Sequence, residues 1–531
     1  MKRWKPTIFG VLILASIYAL AGWRILNRDN TVFPSDSGIV VRFAHWNLQA
    51  GMREAYDSII AQYEADHPGV RIEQMAIPLR VWPTWQQTQL VGETAPDIVQ
   101  LGRGTNDEIV SRYFLPLAAL VEEPNPYNVG TPLAGLAWRN TFLDGLTGTN
   151  ILYPSLQEIF GIPTMQMNLR MFYNADLLET VSGSRRPPES FAEFRRIAEK
   201  TEAYAVSTNQ TILPIAGSGD YGLYLALNLQ QAMTTQIARK LDVQDLLRVD
   251  ASRVGASYVA GAWSLDSPPI IESLRIYQMM GRWMQPGFLQ LRREDAAMYF
   301  SQRRALAMVT GSWDYYLLQQ ECNFPFVVGP LPIPDERDPE FPTTAAAHRN
   351  ELDGQLNGIF GVVRSSRHPD VAIDFLRFLS GQSMAKQFAE TSKTLSATVG
   401  VLPDDKALLT FMPNDSGPVG GFQIIAGAET NSWFQRNVNK LFAPGATAVS
   451  FAREQMDPYR VSTMEDLRNY LRRQRQTSER SDTIVIAEFY RGGKESSRLN
   501  AILDAQVSRE QDGMQIEWML RSSNNPSPLP P

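Results

Sequence analysis

The first segment after the amino terminus alternates strand-like and helix-like patterns, and this alternation constrains the fold more than any other feature. Residues 39–44 form a β-rich apolar run, which predicts a buried strand. Apolar residues then recur at helical spacing at Met52, Ala55, Tyr56, Ile59, Ile60 and Tyr63. Further strands are predicted from Val70 and from Pro96. Strand, helix and strand at this spacing indicate a parallel crossover, and therefore an α/β fold.

The same alternation recurs later in the chain. Ser190 and Glu193 have the spacing of a capping box, and Pro369 is placed to open a helix. Apolar β-rich runs predict strands at 305–309, 326–329 and 357–363. We interpret the Pro-, Thr- and Ala-rich stretch 330–353 as a surface loop, and the arginine-rich stretch 468–480 as a solvated helix.

Length, charge and residue counts exclude several classes of protein. A chain of 531 residues is long enough for two to four domains. The net charge of −6, without a long basic run, disfavours nucleic-acid binding. Cys322 is the single cysteine and the four histidines are scattered, so we expect no disulfide, no metal site and no cofactor.

The amino terminus has the layout of an export signal. Lys2, Arg3 and Lys5 precede an uncharged run from Thr7 to Trp23, and the small residues at 19–21 resemble a cleavage site. The run is slightly short for a membrane span, so residues 1–26 are either a cleaved signal peptide or a retained anchor. Residues 27–38 are predicted to be a linker. Either way, we expect the body of the protein in the periplasm or cell envelope.

Several short motifs, in order along the chain, resemble those of the extracellular solute-binding proteins of ABC importers, in the sugar- and oligosaccharide-binding family related to maltose-binding proteins. The most specific is the segment from Gly161 to Leu178, which resembles the strand that crosses between lobes followed by that family's Tyr-Tyr-Asn and Asp-Leu signature. The other matching pieces are Trp46 after the opening strand, the turn 67–70, the strand 96–99, and the segments 307–313, 327–332 and 357–379.

This resemblance implies the type II periplasmic-binding fold, an α/β architecture of two lobes joined by crossing strands, each lobe holding a mostly parallel sheet flanked by helices. We expect lobe one to comprise residues 39–152 plus 305–353. Lobe two is expected to comprise residues 153–302 plus 354–512, and residues 513–531 are predicted to form a flexible tail.

The resemblance also implies a function without catalysis: capture of a carbohydrate, most consistent with an oligosaccharide, between the lobes, and delivery to ABC permease subunits in the inner membrane. We expect a monomer. Two alternatives stay open at this point. One is a membrane-tethered ligand sensor, and the other is a carbohydrate-active hydrolase, because acidic pairs for glycoside cleavage are recognised only in space.

Sugars present apolar faces and a rim of hydroxyl groups, so a matching site needs aromatic rings and amide side chains. Trp46 follows the first strand, at the edge where α/β sheets bind ligands, and Trp82 and Trp85 are expected in a loop after the second strand. The family resemblance adds the following candidates: Trp313, Gln166, Asn168, Asn357 and Trp433. For each tryptophan the alternative is a core ring, and for Gln166 and Asn168 it is support of the hinge backbone.

Overall fold

The structure is a computed structural model that describes residues 38–523 except 103–104, 106, 149–150, 154–157, 243–248, 335–337, 342–355, 413–420 and 493–496. The predicted signal or anchor and all of the linker but Gly38 lie outside the described residues. Within the described ranges, no helix combines the length and the apolar character needed to cross a bilayer.

Thirteen strands and sixteen α-helices form the described part of the chain. The strands are β1 Ile39–His45, β2 Val70–Ala76, β3 Ile98–Leu101, β4 Leu152–Tyr153, β5 Glu158–Ile159, β6 Met165–Gln166, β7 Leu169–Asn174, β8 Leu213–Ala216, β9 Ala305–Gly311, β10 Phe326–Gly329, β11 Leu356–Asn357, β12 Ile359–Val362 and β13 Leu395–Ser396. The helices of the first half are α1 Met52–Asp66, α2 Trp82–Val91, α3 Asp107–Tyr113, α4 Ala175–Ser182, α5 Phe191–Ser207, α6 Gly219–Met233, α7 Thr235–Leu241 and α8 Ala251–Val259. The helices of the second half are α9 Pro268–Arg282, α10 Arg293–Ser301, α11 Tyr315–Glu321, α12 Pro369–Leu379, α13 Gln382–Ser392, α14 Ala428–Asn437, α15 Ala448–Gly492 and α16 Ser497–Ser523.

The first sheet has the strand order β12-β3-β1-β2. Strand β1 runs parallel to β2 and β3, as the opening pattern of the sequence predicted, and β12 joins the edge antiparallel to β3. The predicted helix between β1 and β2 is confirmed as α1, which buries all six residues of its apolar stripe against this sheet. We name the body around this sheet and its apolar core the first lobe.

The second sheet has the order β10-β7-β9-β8 and belongs to a separate apolar core, the second lobe. Only β8 and β9 are parallel, while β7 runs antiparallel to both β9 and β10, so this sheet is mixed rather than mostly parallel. Ser190 caps α5 by accepting a hydrogen bond from the Glu193 amide at 3.2 Å, which is the serine half of the predicted capping box. The Glu193 carboxylate instead accepts from the Glu189 amide at 3.0 Å.

The predicted division of the chain between the lobes was wrong for two segments. Residues 305–329 were assigned to lobe one, but β9 and β10 pair with β7 in the second sheet. Residues from 354 were assigned to lobe two, but β12 completes the first sheet, and α12 and α13 pack on the first lobe. The physical reason is that apolar runs predict strands but not which distant strand each one meets.

A small third sheet lies where the chain passes between lobes. Its order is β11-β6-β13, and both outer strands pair antiparallel with β6. Strand β6 leads into β7 of the second lobe, β11 leads into β12 of the first lobe, and β13 precedes residues 406–411, which pack into the second core. Three passages of the chain therefore meet side by side between the lobes.

The carboxyl-terminal helices α15 and α16 form a long hairpin on the second lobe. The first part of α15 packs into the lobe through buried side chains such as Tyr459 and Leu467. The predicted flexible tail was wrong for residues 513–523, which continue α16 with Ile516 buried; residues 524–531 lie outside the described residues. Gly513 lies in this helix, and a methyl group there would be in ordinary contact, at 3.9 Å, with Leu471 of α15.

Candidate functional site

Trp46 lies directly after β1, at the carboxyl end of the first sheet. Its side chain is half-buried, and its indole rests against the backbone of Gly102, which follows β3. A methyl group at Gly102 would lie only 2.9 Å from Cη2 of this indole, and the positive φ of 138° also favours glycine. The absence of a side chain at Gly102 therefore makes room for the ring, which keeps part of its surface in water.

A buried polar network fixes the backbone beneath Trp46. Gln100 Oε1 accepts from the Trp46 amide at 3.0 Å, and Gln100 Nε2 donates to Asn47 Oδ1 at 3.3 Å. Nδ1 of His45 accepts from the Asn47 amide at 3.1 Å, and its other nitrogen contacts Gln74 Oε1 at 2.8 Å. Burial lowers the pKa of His45 to about 4, so the ring is neutral at neutral pH.

Trp82 and Trp85 lie in helix α2, so the prediction that they belong to a loop was wrong. Pro83 falls in the first turn of this helix, where its missing amide hydrogen costs nothing. Trp82 is 0% exposed and contacts both other indoles, with centroids 5.0 Å from Trp46 and 5.1 Å from Trp85. The three rings form a cluster in which Trp46 and Trp85 keep partly open surfaces and Trp82 supports them.

Trp313 occupies the corresponding place in the second lobe. It lies in a short 3-10 turn directly after β9, and its side chain is half-buried. A methyl group at Gly311 would lie 2.1 Å from the Trp313 ring, so this indole also rests on a glycine. The Ser312 amide donates to the Asn168 carbonyl at 3.0 Å, which places Trp313 beside the passage between the lobes.

A second buried polar network lies next to Trp313. Asp314, which is 6% exposed, accepts from Thr310 Oγ1 at 2.6 Å and from the Tyr221 hydroxyl. Burial and the neighbouring Asp314 carboxylate raise the pKa of Tyr221, so its hydroxyl remains a donor. The turn that carries Trp313 is therefore anchored to α6 and β9 and has little freedom to move.

The three amide candidates all lie in the passage between the lobes, Gln166 and Asn357 on strands β6 and β11 and Asn168 in the link between β6 and β7. Gln166 and Asn168 are buried, and their side-chain amides donate to the carbonyls of Ser396 at 2.6 Å and Phe411 at 3.2 Å. Asn357 is partly exposed, and its Oδ1 accepts from the Gly358 amide at 2.9 Å. These contacts agree with the alternative role, support of hinge backbone, for Gln166 and Asn168.

Arg170, the charged side chain of the passage, also forms hydrogen bonds to backbone carbonyl groups. It is 3% exposed, and its guanidinium donates to the carbonyls of Thr410 at 2.8 Å and Met412 at 2.8 Å. This places the positive charge at the end of a 3-10 turn, where carbonyl groups lack internal partners. Arg170, which lies in β7, therefore holds the segment that follows β13 against the second sheet.

Trp433, the remaining candidate, lies in the core of the second lobe. It is 2% exposed, its Nε1 donates to Gln455 Oε1 at 3.2 Å, and its ring packs against Tyr459 with centroids 4.8 Å apart. A ring enclosed in this way has no free face for stacking. Trp433 therefore fits the alternative interpretation, in which the ring belongs to the hydrophobic core.

Sequence reasoning missed the groups that hold the exposed indoles in place. Gln100 lies near the end of β3, and Asn47 and Asp314 follow the ends of β1 and β9 by two and three residues. A polar residue close to the end of a buried strand was the available signal. The two supporting glycines, Gly102 and Gly311, also follow or close a strand. Among the residues that the structure describes, no three His, Cys, Asp or Glu side chains gather as metal ligands.

The sequence of residues 58–409, more than half of the chain, matches a family described as bacterial extracellular solute-binding protein. None of the curated proteins compared with the chain matches its sequence.

Solved structures that share this fold include several described with a bound ligand. A protein studied for xylan utilization by the thermophilic bacterium Caldanaerobius polysaccharolyticus is 18% identical with a TM-score of 0.56, covering 79% of this chain and 99% of its own. The GacH receptor of Streptomyces glaucescens, solved with acarbose, is 16% identical with a TM-score of 0.57, covering 80% and 98%. The MalE domain of Bdellovibrio bacteriovorus, bound to maltotriose, is 13% identical with a TM-score of 0.53, covering 81% and 100%. At these identities the likeness shows a common fold.

Proposed function

Because the chain belongs to the bacterial extracellular solute-binding protein family, we propose that it captures a carbohydrate between its lobes and hands it to the permease of an ABC importer. One observation carries this proposal. Each lobe presents a partly exposed indole directly after the carboxyl end of a sheet strand, Trp46 after β1 in the first lobe and Trp313 after β9 in the second, and both rest on a glycine.

Two rigid indoles suit a sugar ligand for a physical reason. The C–H faces of a pyranose ring stack on flat aromatic surfaces, and preorganised rings lose little entropy when a ligand binds. The glycine under each ring and the polar networks beside it supply this rigidity. Partly open Trp85, which is connected to Trp46 through the buried ring of Trp82, extends the apolar surface in the first lobe, which suits a ligand longer than one sugar unit.

The charged side chain of the crossing segment offers no contact to an anionic ligand. Arg170 donates its guanidinium to backbone carbonyls and is buried, so it presents no open positive group to a phosphate. Several of the solved structures with this fold are described with oligosaccharides, namely acarbose, maltotriose and raffinose. We therefore propose a neutral oligosaccharide rather than an anionic solute, and binding without cleavage.

The family description places its members outside the cytoplasm, and we propose that this protein acts in the periplasm or cell envelope. The ligand-bound protein would present both lobes to permease subunits in the inner membrane. Three passages of chain between the lobes allow bending while keeping the lobes in register, so a ligand that contacts both lobes shifts the population toward a closed form.

A glycan panel with three variants tests this proposal. Trp313→Ala and Trp46→Ala should each weaken binding of the best oligosaccharide by at least tenfold, since each removes a stacking surface worth about 1.4 kcal/mol or more. Gly311→Ala should weaken it as well, because the added methyl group displaces the Trp313 indole while its φ of −105° tolerates alanine. Affinity is measured by isothermal titration calorimetry.

Trp518→Ala is the matched control, because it removes an indole from the distant helical hairpin and should leave affinity unchanged. Chromatography of the glycans after incubation separates binding from cleavage. Equal affinities in wild type and in both site-tryptophan variants would remove the indoles from the site, and release of shortened glycans would contradict a pure binding role.

A further inference from the structure

A series of buried hydrogen bonds leads from Trp46 toward the passages between the lobes. The Trp46 amide donates to Gln100 Oε1 at 3.0 Å, and Gln100 Nε2 donates to Asn47 Oδ1 at 3.3 Å. Asn47 Nδ2 in turn donates to the hydroxyl of Tyr56 at 3.2 Å. The side chains of Gln100, Asn47 and Tyr56 are all buried, so water does not compete for these hydrogen bonds.

Thr164 continues the series on the other side of Tyr56. The Tyr56 hydroxyl bonds to the Thr164 side chain, and Thr164 Oγ1 donates to the Gly358 carbonyl at 3.1 Å. Because that carbonyl can only accept, it takes the Thr164 proton, and the Tyr56 hydroxyl is the donor to Thr164 Oγ1. All five hydrogen bonds therefore run in one direction, from the Trp46 amide to the Gly358 carbonyl. We name this series the hydrogen-bond relay.

The relay ends where the three passages between the lobes meet. Thr164 directly precedes β6, its amide donates to the Asn357 carbonyl of β11 at 3.2 Å, and its carbonyl accepts from the Ala397 amide at 3.4 Å. Ala397 directly follows β13. Gly358 has a positive φ of 60° and lies between β11 and β12, where the chain leaves the third sheet for the first. A single residue, Thr164, thus contacts every passage.

Tyr56 is the central member of the relay. It lies in α1, and its hydroxyl accepts on the Trp46 side and donates on the side of the passages. A buried polar group that loses its partner costs free energy, so a displacement at one end of the relay is resisted at the other end. The arrangement links the position of the Trp46 loop to the geometry of the passages.

We propose that Tyr56 is a positioning residue that couples the Trp46 indole to the angle between the lobes. Bending of the passages changes the seat of the indole, and a ligand that holds the indole favours one angle by the same free energy. The inference rests on the proposed function for the statement that Trp46 contacts the ligand. The coupling between Trp46 and Thr164 is a property of the ligand-free protein.

Fluorine NMR of the ligand-free full chain, labelled with 5-fluorotryptophan, tests the coupling. The Trp46 resonance is assigned by its loss in Trp46→Phe. Thr164→Val removes the hydroxyl at the far end of the relay and should shift the Trp46 resonance by more than its linewidth. In a Tyr56→Phe background the same change should give no further shift, because the connection is already broken. Thr164→Ser, which keeps the hydroxyl, should retain most of the wild-type position.

Two matched changes serve as controls. Tyr63 is another buried tyrosine of α1, and its hydroxyl donates outside the relay, so Thr164→Val should still shift the Trp46 resonance in a Tyr63→Phe background. Thr201→Val, buried in α5 of the second lobe, should leave that resonance in place. A Trp46 resonance that ignores Thr164→Val overturns the inference, as does an equal response with and without the Tyr56 hydroxyl.

A ligand measurement separates this inference from the proposed function. With the best oligosaccharide of the glycan panel, Tyr56→Phe should weaken binding by about fivefold, the low end of a typical coupling between sites. The same change should not alter the residual affinity of Trp46→Ala, and an equal loss in both backgrounds would overturn the coupling. If no glycan binds, the proposed function fails, whereas the fluorine spectra still decide whether the relay couples Trp46 to the passages.

Discussion

At the residue scale, buried His45 couples the first lobe to pH. Its Nδ1 accepts a backbone hydrogen bond from Asn47, so the neutral ring is required, and protonation would set two N–H groups against each other. The folded-state pKa of about 4 lies below the ordinary 6.5 of the unfolded chain. The unfolded state therefore takes up the proton first as pH falls, and folding loses stability between about pH 6.5 and pH 4.

We expect this histidine to account for up to about 3 kcal/mol of the loss in unfolding free energy over that pH range. The measurement is urea unfolding at a series of pH values for the wild type and for His45→Asn. The difference in unfolding free energy between the wild type and His45→Asn should shrink as the pH falls. A constant gap between wild type and His45→Asn would contradict the assignment.

At the element scale, Gly358 interrupts what the sequence predicted to be one strand. The run 357–363 was predicted correctly as extended, but it is divided into β11, in the sheet between the lobes, and β12, in the first sheet. The division occurs because Gly358 has a positive φ of 60°, and Thr164 Oγ1 donates to its carbonyl at 3.1 Å. A left-handed residue turns the chain from one sheet into the other.

Gly358→Ala should lower the unfolding free energy by about 2–4 kcal/mol, because the left-handed strain adds to a clash of the new methyl group, 2.4 Å from Thr164 Oγ1. Gly183→Ala carries similar backbone strain, at φ 82°, but has nothing within 4 Å, so it should cost only about 1 kcal/mol. Chemical denaturation of both variants gives the comparison, and equal losses would show that the contact with Thr164 is unimportant.

The elements that the sequence predicted well are those whose signals are local. Helix α1 and the Ser190 cap follow from spacing along a few residues, and both are present. Trp82 and Trp85 were predicted to flank Pro83 in a loop, but they lie in α2, where the first helical turn accepts proline. The lobe to which β9 and β10 belong depends on pairing with β7, across more than a hundred residues, and no local pattern encodes it.

At the scale of the whole molecule, two separate apolar cores imply two units of unfolding. Phe360 is 0% exposed in the core of the first lobe, and Phe434 is 0% exposed in the core of the second. The connections between the cores consist of three chain passages and short strands, which is a small contact compared with either interior. Cooperative unfolding therefore follows each core rather than the whole chain.

Scanning calorimetry should resolve two transitions in the ligand-free protein. Phe360→Ala and Phe434→Ala each remove a buried ring, at a cost of about 3–5 kcal/mol, and each should lower a different transition by several degrees. A single transition that both variants lower equally would show that the lobes unfold as one body.

Each lobe contains segments from distant parts of the sequence, and this determines when each lobe is able to fold. The first sheet is complete only when β12 has been synthesised and pairs with β3. The second core is complete only when Tyr459 of α15 is present. A ribosome must therefore synthesise most of the polypeptide before either half reaches its final packing. Because neither core can be completed early in synthesis, the nascent chain stays unfolded long enough to pass through a narrow translocation channel. This property suits a member of an extracellular solute-binding family.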